Sequence, residues 1–218
     1  PLAKPDASRY ADALVDAVRQ LGLAALPWTE ALVQWRARVR CLRAWMPELS
    51  LPDLSDDTLL ASLGTWLKPA FAGKTRLDAL SEDELSEALK SGTDWGLRQR
   101  IDALAPTRIV VPSGMERKIE YAYDAASDAP QPPVLAVKLQ ELFGLADTPR
   151  VADGRIAVLL HLLSPGGKPL QITSDLRSFW ARTYPEVKKE MKGRYPKHPW
   201  PDDPWSATAT HRAKPRGT

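Results

Sequence analysis

The sequence predicts an α+β protein in which an N-terminal helical bundle precedes a mixed unit with a largely antiparallel sheet and C-terminal helices. Apolar residues recur at helical spacings of three and four up to about residue 105. Beyond Pro106 the pattern changes to β-branched runs and to alternation of polar and apolar residues. The predicted order there is strand, strand, helix, strand, strand, helix, helix, which is typical of an α+β unit.

These patterns divide the chain into three parts. We predict a helical bundle over residues 1–105, an α+β domain over 106–205 and a basic flexible tail over 206–218. A chain of 218 residues is long enough to bury a core in one large domain or in two small ones.

The helices of the first half carry start and stop signals. The first is predicted over 8–21 and ends at Gly22, and the second opens within residues 26–30 and ends at Pro47. Ser81 and Glu84 have the spacing of a capping box. Further predicted N-terminal caps are Ser55 and Asp94. The predicted buried faces of the first two helices are Tyr10, Leu14, Val18 and Leu21, then Leu32, Trp35, Val39, Leu42 and Met46.

In the second half, residues 108–112 and 118–123 predict a hairpin, and the three prolines of 124–133 predict a loop. Residues 134–143 are ambiguous in period, and we interpret them as a short helix. The remaining predicted elements are a buried strand over 155–163, a turn and strand reaching Thr173, a helix capped by Ser174, and a helix from Pro185 to Gly193.

Composition excludes several classes of protein. Hydrophobic residues make up 44% and charged residues 26%, which rules out a disordered or fibrous chain. The single cysteine, Cys41, excludes a disulfide framework. No apolar run reaches the roughly 20 residues of a membrane span, and the first ten residues lack the apolar segment of a secretory signal. We therefore expect a cytoplasmic protein without a membrane partner.

The positive charge is concentrated at the C-terminal end. Residues 168–218 carry 11 basic and 5 acidic residues, a net charge of +6, whereas the whole chain has +3. A basic end of this kind indicates an anionic partner.

Motifs with catalytic or metal-binding chemistry are not evident. Gly73-Lys74-Thr75 lacks the preceding glycine and strand of a phosphate-binding loop. The histidines have no metal-ligand spacing, and His161 is interpreted as a core residue. Cys41 is interpreted as packing. We expect no catalytic residue and no metal site in this segment.

Two basic groups are candidate nucleic-acid contacts. In the second helix, Arg36, Arg40 and Arg43 form one row, with Trp35 and Trp45 on the same helix. This arrangement indicates either a phosphate-tracking edge with stacking aromatics or a solvated face beside core tryptophans, and for Trp35 we favour the core.

The second group combines cations with aromatic and histidine rings near the C-terminus. Lysine and arginine neutralise phosphates, and aromatic faces stack on unpaired bases. A segment rich in proline and tryptophan is equally able to fold back onto its own domain, and the two interpretations are compatible. The candidate residues are Lys188, Lys189, Lys192, Arg194, Tyr195, Lys197, His198 and Trp200.

Seven strings of the sequence together indicate one protein family. They are 26–29 (LPWT), 97–102 (LRQRID), 104–107 (LAPT), 111–114 (VPSG), 132–144 (PPVLAVKLQELFG), 159–165 (LLHLLSP) and 193–201 (GRYPKHPWP). These strings resemble the C-terminal part of HrpB-type bacterial ATP-dependent RNA helicases, and the resemblance runs from about residue 21 to 204.

The resemblance implies that the chain is an accessory region of a larger DEAH-like helicase. Its motor domains, with their ATP and magnesium, would lie outside this segment, and no catalytic residue carries over. The implied roles are contact with RNA and docking on the motor domains of the same polypeptide. The alternative is a protein-interaction module without nucleic-acid contact. An independent enzyme would need a pocket with perturbed titratable groups, which the sequence does not indicate.

Overall fold

The computed structural model describes residues 7–212, so residues 213–218 of the predicted basic tail lie outside the described part. The chain divides into two compact units. Unit 1 comprises residues 1–101 with 125–129, and unit 2 comprises residues 102–124 with 130–218. Together the two units contain helices and a mixed five-stranded sheet, which confirms the predicted α+β class.

Unit 1 is built from helices joined by short 3-10 turns. The last helix, α6, continues into the first residues of unit 2. The helices are α1 (Ala7–Leu21), α2 (Glu30–Trp45), α3 (Asp56–Ala61), α4 (Leu63–Trp66), α5 (Glu82–Lys90) and α6 (Trp95–Leu104). The 3-10 turns are Leu23–Ala25, Pro47–Leu49, Lys68–Phe71 and Leu77–Ala79.

In unit 1, the helix starts predicted from the capping residues Ser55, Ser81 and Asp94 are confirmed. Ser81 Oγ accepts a hydrogen bond from the Glu84 backbone at 3.2 Å, and the Glu84 carboxylate accepts one from the Ser81 backbone at 2.9 Å. Thr29 caps α2, Ser55 caps α3, and Asp94 accepts from the backbone of α6 at 2.7 Å. Each cap satisfies a helix N–H that lacks an intrahelical partner, which is worth about 1 kcal/mol.

The predicted face of α2 is confirmed, since its five apolar residues are at most 6% exposed. The predicted face of α1 is wrong at its ends. Tyr10 is 36% exposed and Leu21 is 65% exposed, whereas Ala11 and Val15 are buried together with Leu14 and Val18. The buried face of α1 therefore consists of Ala11, Leu14, Val15 and Val18, about one residue away from the predicted face.

The helix predicted to follow Ser55 is interrupted at Ser62. The Ser62 hydroxyl donates to the Thr58 carbonyl at 2.6 Å, and the backbone N–H of Ser62 bonds the same carbonyl at 3.1 Å. A serine that bonds back to the preceding turn bends a helix. The segment consequently forms two short helices, α3 and α4.

Unit 2 is organised around a five-stranded sheet of order β1-β2-β5-β8-β9. Only the β5–β8 pairing is parallel, and the other three are antiparallel. The strands of the sheet are β1 (Arg108–Val110), β2 (Glu116–Glu120), β5 (Val134–Lys138), β8 (Leu159–Leu163) and β9 (Pro169–Thr173). Two ribbons are formed by β3 (Tyr123–Asp124) with β4 (Ala129–Pro130) and by β6 (Arg150–Val151) with β7 (Ile156–Ala157).

The helix predicted over residues 134–143 is wrong. Residues Val134–Lys138 form β5 between β2 and β8, followed by the 3-10 turn Leu139–Leu142. Burial alternates along β5, with Leu135 and Val137 inside and Ala136 exposed. Two β-branched valines suit this pleated central position. The predicted loop at 124–133 is also partly wrong, because it contributes to the β3–β4 ribbon.

The C-terminal helices form one continuous helical segment. α7 (Leu176–Ser178) passes through a π-helical turn at Phe179–Thr183 into α8 (Tyr184–Arg194). Its cap is Asp175, whose carboxylate accepts from the Ser178 backbone at 2.9 Å, and not the expected Ser174. No helix among residues 7–212 is long and apolar enough to cross a membrane.

One face of the sheet forms the core of unit 2, and a buried carboxylate lies beside it. Ile119, Leu135 and Leu160 are at most 1% exposed. The side chain of Glu141 is also 1% exposed, and it accepts two bonds from the Arg117 guanidinium, at 2.6 and 3.1 Å. Because Arg117 donates to Glu141, the pKa of its guanidinium is raised further.

We predict a pH dependence of stability from Glu84. Hydrogen bonds from Lys74 Nζ at 2.7 Å and from the Ser81 backbone lower the pKa of Glu84 from 4.5 to about 2. A lowered carboxylate pKa stabilises the folded state above the unfolded value, and this stabilisation is lost as the pH falls from about 4.5 towards 2. Lys74→Met should raise the pKa of Glu84, measured by NMR titration of its side chain. The control Arg76→Met removes a cation paired with Asp78 and should leave Glu84 unchanged. An unaltered Glu84 pKa in Lys74→Met would contradict this assignment.

A second prediction concerns Arg117. Arg117→Met leaves the carboxylate of Glu141 buried without its charged partner, which costs roughly 3–5 kcal/mol. The free energy of unfolding from urea denaturation measures this loss. The double variant Arg117→Met with Glu141→Leu removes both charges and is expected to recover most of it. A loss below about 1 kcal/mol in the single variant would show that the pair is not important for stability.

Candidate nucleic-acid interface

The basic segment predicted near the C-terminus lies on α8 and on the turn that follows it. Lys188 is drawn inward, since its side chain is only 18% exposed and its ammonium pairs with Asp202. This bond lowers the pKa of Asp202, and the charge of Lys192 lowers it further. Lys188 is therefore neutralised within the unit. Asp202 was not predicted from the sequence, because no local pattern links it to Lys188, fourteen positions earlier.

The other four cations of this segment face solvent. Lys189, Lys192, Arg194 and Lys197 are all exposed. Within residues 7–212 none of their side chains forms a hydrogen bond or an ion pair. We call these four residues the basic patch. A cluster of exposed cations at the end of one helix produces a positive potential that favours an anionic partner, although Lys192 also interacts with the charge of Asp202.

The rings of the same segment are held by the unit itself. The Trp200 indole N–H donates to the Tyr195 carbonyl at 3.0 Å. His198 is only 5% exposed, with its ring centroid 4.7 Å from that of Trp200 and 6.5 Å from that of Phe143. Tyr195 is half-buried. These three side chains position the turn. The residues proposed for stacking are therefore held by the unit, whereas the cations proposed for phosphate contact are exposed.

The chain beyond the turn returns along unit 2. The Tyr184 hydroxyl donates to the Pro201 carbonyl at 2.8 Å, and burial raises the pKa of Tyr184 above its ordinary value. The Gly144 backbone N–H donates to Pro204 at 2.9 Å, and Thr210 donates to Gln140 at 3.0 Å. The described part of the predicted tail is therefore attached to the unit at least as far as Thr210.

The second basic group belongs to unit 1, where its arginines contact neighbouring loops. Arg36 donates to the Leu54 carbonyl at 2.8 Å, pairs with Asp56 at 2.5 Å and lies over the Trp28 ring. Arg43 donates to the Leu51 carbonyl at 3.0 Å, and Arg40 lies 3.8 Å from Asp128. Trp35 is 6% exposed, as expected for a core residue, and Trp45 is half-buried. These cations tie α2 to adjacent segments of unit 1.

Lys74, Cys41 and His161, which were considered as candidates for chemistry, have structural explanations or no catalytic partner in the described residues. Lys74 of Gly73-Lys74-Thr75 bonds Glu84 at 2.7 Å. Cys41 is fully buried. His161 is only half-buried, which differs from the core position expected, because it lies on the open face of β8. Among residues 7–212 no cluster of three or more histidine, cysteine or acidic residues has the geometry of a metal site.

The open face of the sheet is a second surface of unit 2. It carries apolar side chains, with Val110 at 64% and Ile172 at 58% exposure. A groove on this face is lined by residues that include Arg108, Lys118 and His161. Val110 and Ile172 lie on the two edge strands, so they are separate apolar residues on a face that is otherwise largely polar in its groove.

Comparison with known proteins identifies relatives across nearly the whole chain. The family model described as "ATP-dependent helicase C-terminal", HrpB_C, matches residues 66–204. The ATP-dependent RNA helicase HrpB of Escherichia coli K12 is 45% identical over 214 residues, which are 98% of this chain and 26% of the relative. This chain thus spans about a quarter of that protein.

Solved structures agree with this assignment. The crystal structure of the E. coli DExH-box NTPase HrpB matches with a TM-score of 0.87 and 44% identity over 97% of this chain and 25% of that one. A crystal structure of the E. coli DEAH/RHA helicase HrpB matches with a TM-score of 0.74 and 44% identity, covering 92% and 24%. The chain therefore belongs to the HrpB family of ATP-dependent helicases and corresponds to the C-terminal region of its members.

Proposed function

We propose that this region is an accessory surface of a cytoplasmic ATP-dependent RNA helicase and that its basic patch contacts RNA. The observation that carries the proposal is the exposure of four cations on α8 and the turn after it. Hydrolysis of ATP with magnesium is assigned to the motor domains of the same polypeptide, because none of the residues of this chain provides a nucleotide-binding loop.

The patch favours contact with the RNA backbone over readout of the bases. Its cations are mobile, long side chains that suit phosphates, which occur at every nucleotide. Stacking on bases requires an accessible ring face. His198 is buried, and Trp200 is half-buried, with its ring in a T-shaped contact with the His198 ring at 4.7 Å between centroids. We therefore expect binding that depends little on sequence and strongly on salt.

Docking on the motor domains of the same polypeptide is a second candidate role, with the open sheet face as its surface. Support comes from the groove on this face, whose lining includes the charged side chains of Arg108, Lys118 and Glu120. The E. coli relative contains about three quarters of its length outside the matched region, so a large preceding part exists there to be contacted. The two roles use different surfaces of unit 2 and are compatible.

The RNA-contact proposal predicts a specific change in salt dependence. Neutralising the basic patch in the variant Lys189→Gln, Lys192→Gln, Arg194→Gln, Lys197→Gln should abolish most binding of single-stranded RNA, measured by fluorescence anisotropy at several salt concentrations. The slope of log affinity against log salt concentration is negative, and each lost phosphate contact reduces its magnitude by about 0.7. The loss of four contacts therefore reduces the magnitude by about 3. Lys188 is left unchanged because Asp202 neutralises it.

The matched control neutralises four exposed arginines elsewhere, at Arg9, Arg76, Arg100 and Arg108. It changes net charge by the same amount and is expected to lower the slope much less. Equal effects of both variants, or no effect of the patch variant, would contradict the proposal. A chain that ignores RNA at physiological salt but co-purifies with separately expressed motor domains would support docking alone.

A further inference from the structure

The turn between β8 and β9 lies against the end of the basic segment. The turn is closed by its own bonds, since the Ser164 N–H donates to the Lys168 carbonyl at 2.7 Å and the Lys168 N–H donates to Ser164 Oγ at 3.0 Å. The Gly167 N–H also donates to the Ser164 carbonyl at 2.8 Å. Three hydrogen bonds within five residues fix the path of the backbone that carries Lys168.

Tyr195 contacts this turn at two places. Its hydroxyl oxygen lies 3.4 Å from Ser164 Oγ. A methyl carbon added to Gly166 would lie 2.7 Å from the same hydroxyl oxygen, closer than real side chains approach, whereas the nearest ring carbons would lie at 3.5 Å. Glycine at 166 thus allows the phenol to pack against the turn, and an alanine there would require the Tyr195 hydroxyl or the turn to shift.

This contact joins the turn that carries Lys168 to the segment that carries Arg194 and Lys197. Arg194 and Lys197 flank Tyr195 in the sequence, and Lys168 is joined through its N–H to Ser164, which the Tyr195 hydroxyl contacts. Lys168 is exposed, and its side chain has no hydrogen-bond or ion-pair partner among residues 7–212. It lies far from α8 in the sequence, so composition and spacing alone did not associate it with the segment.

We propose that Lys168 is a fifth phosphate contact and that Tyr195 is a positioning residue that holds the β8–β9 turn beside the basic patch. The ligand is the phosphodiester backbone of RNA, which extends from α8 onto the turn. This inference rests on the proposed RNA contact. Tyr195 acts here through the packing of its ring edge against the turn, without stacking on a base.

The first test is Lys168→Gln, with Arg100→Gln as the control of equal charge. We expect Lys168→Gln to weaken binding of single-stranded RNA several-fold at low salt and to lower the salt slope by about 0.7, the value for one contact. Arg100→Gln should leave the slope unchanged. If the four-residue patch variant loses binding while Lys168→Gln matches Arg100→Gln, this inference is wrong and the proposed function stands. If the patch variant binds like the wild type, the proposed function itself fails.

The second test separates positioning from folding. Gly166→Ala places its methyl carbon against the Tyr195 hydroxyl and should weaken RNA binding as Lys168→Gln does. Tyr195→Phe removes that oxygen, so the double variant Gly166→Ala with Tyr195→Phe leaves 3.5 Å to the ring carbons and should restore affinity. In a Lys168→Gln background Gly166→Ala should have no further effect, because the contact that it displaces is already gone. An equal loss in that background would show that Gly166→Ala acts through the fold and would overturn the role of Tyr195.

Discussion

The packing of the Phe143 ring against three other rings holds the C-terminal helical segment and the turn after it in place in unit 2. The Phe143 ring lies 6.0 Å from Trp180, 6.3 Å from Tyr184 and 6.5 Å from His198, measured between centroids. These partners come from the helical segment and from the turn after it, so one buried ring joins three parts of the chain. Aromatic pairs at such distances contribute about 0.5–1.5 kcal/mol each beyond the area they bury. The position of α8 follows from this cluster.

The cluster also determines which side chains are left for a partner. Tyr184 and His198 are buried beside Phe143, and Trp200 is bonded to the Tyr195 carbonyl. The rings therefore hold the turn, and the cations between them are directed to solvent because an unpaired ammonium or guanidinium is costly to bury. Lys188 is the exception in this segment, and Asp202 compensates its charge. Although rings and cations alternate in the sequence, in the structure the rings hold the turn and most of the cations face solvent.

Local signals made much of unit 1 predictable, and long-range pairing explains most of the errors. The capping box of Ser81 and Glu84 depends on residues three apart, so it is visible in the sequence. Residues 134–138 form a strand because β2 and β8 pair with them from distant parts of the chain. Likewise, no local pattern reveals that Asp202 pairs with Lys188 or that Gly166 contacts Tyr195. The composition of the sequence reveals the basic segment. Which of its residues hold the turn and which face solvent is visible only from the tertiary contacts.

If RNA binds the cations of the basic patch, the rings of the turn should stay in place. The most direct measurement is a titration of the 15N-labelled chain with single-stranded RNA, following the indole N–H signal of Trp200 and the side-chain signals of Arg194. We expect the Arg194 signals to move and the Trp200 indole to keep its hydrogen bond to Tyr195 and its chemical shift. A large upfield shift of the Trp200 indole with unchanged Arg194 signals would show base stacking and would contradict the account.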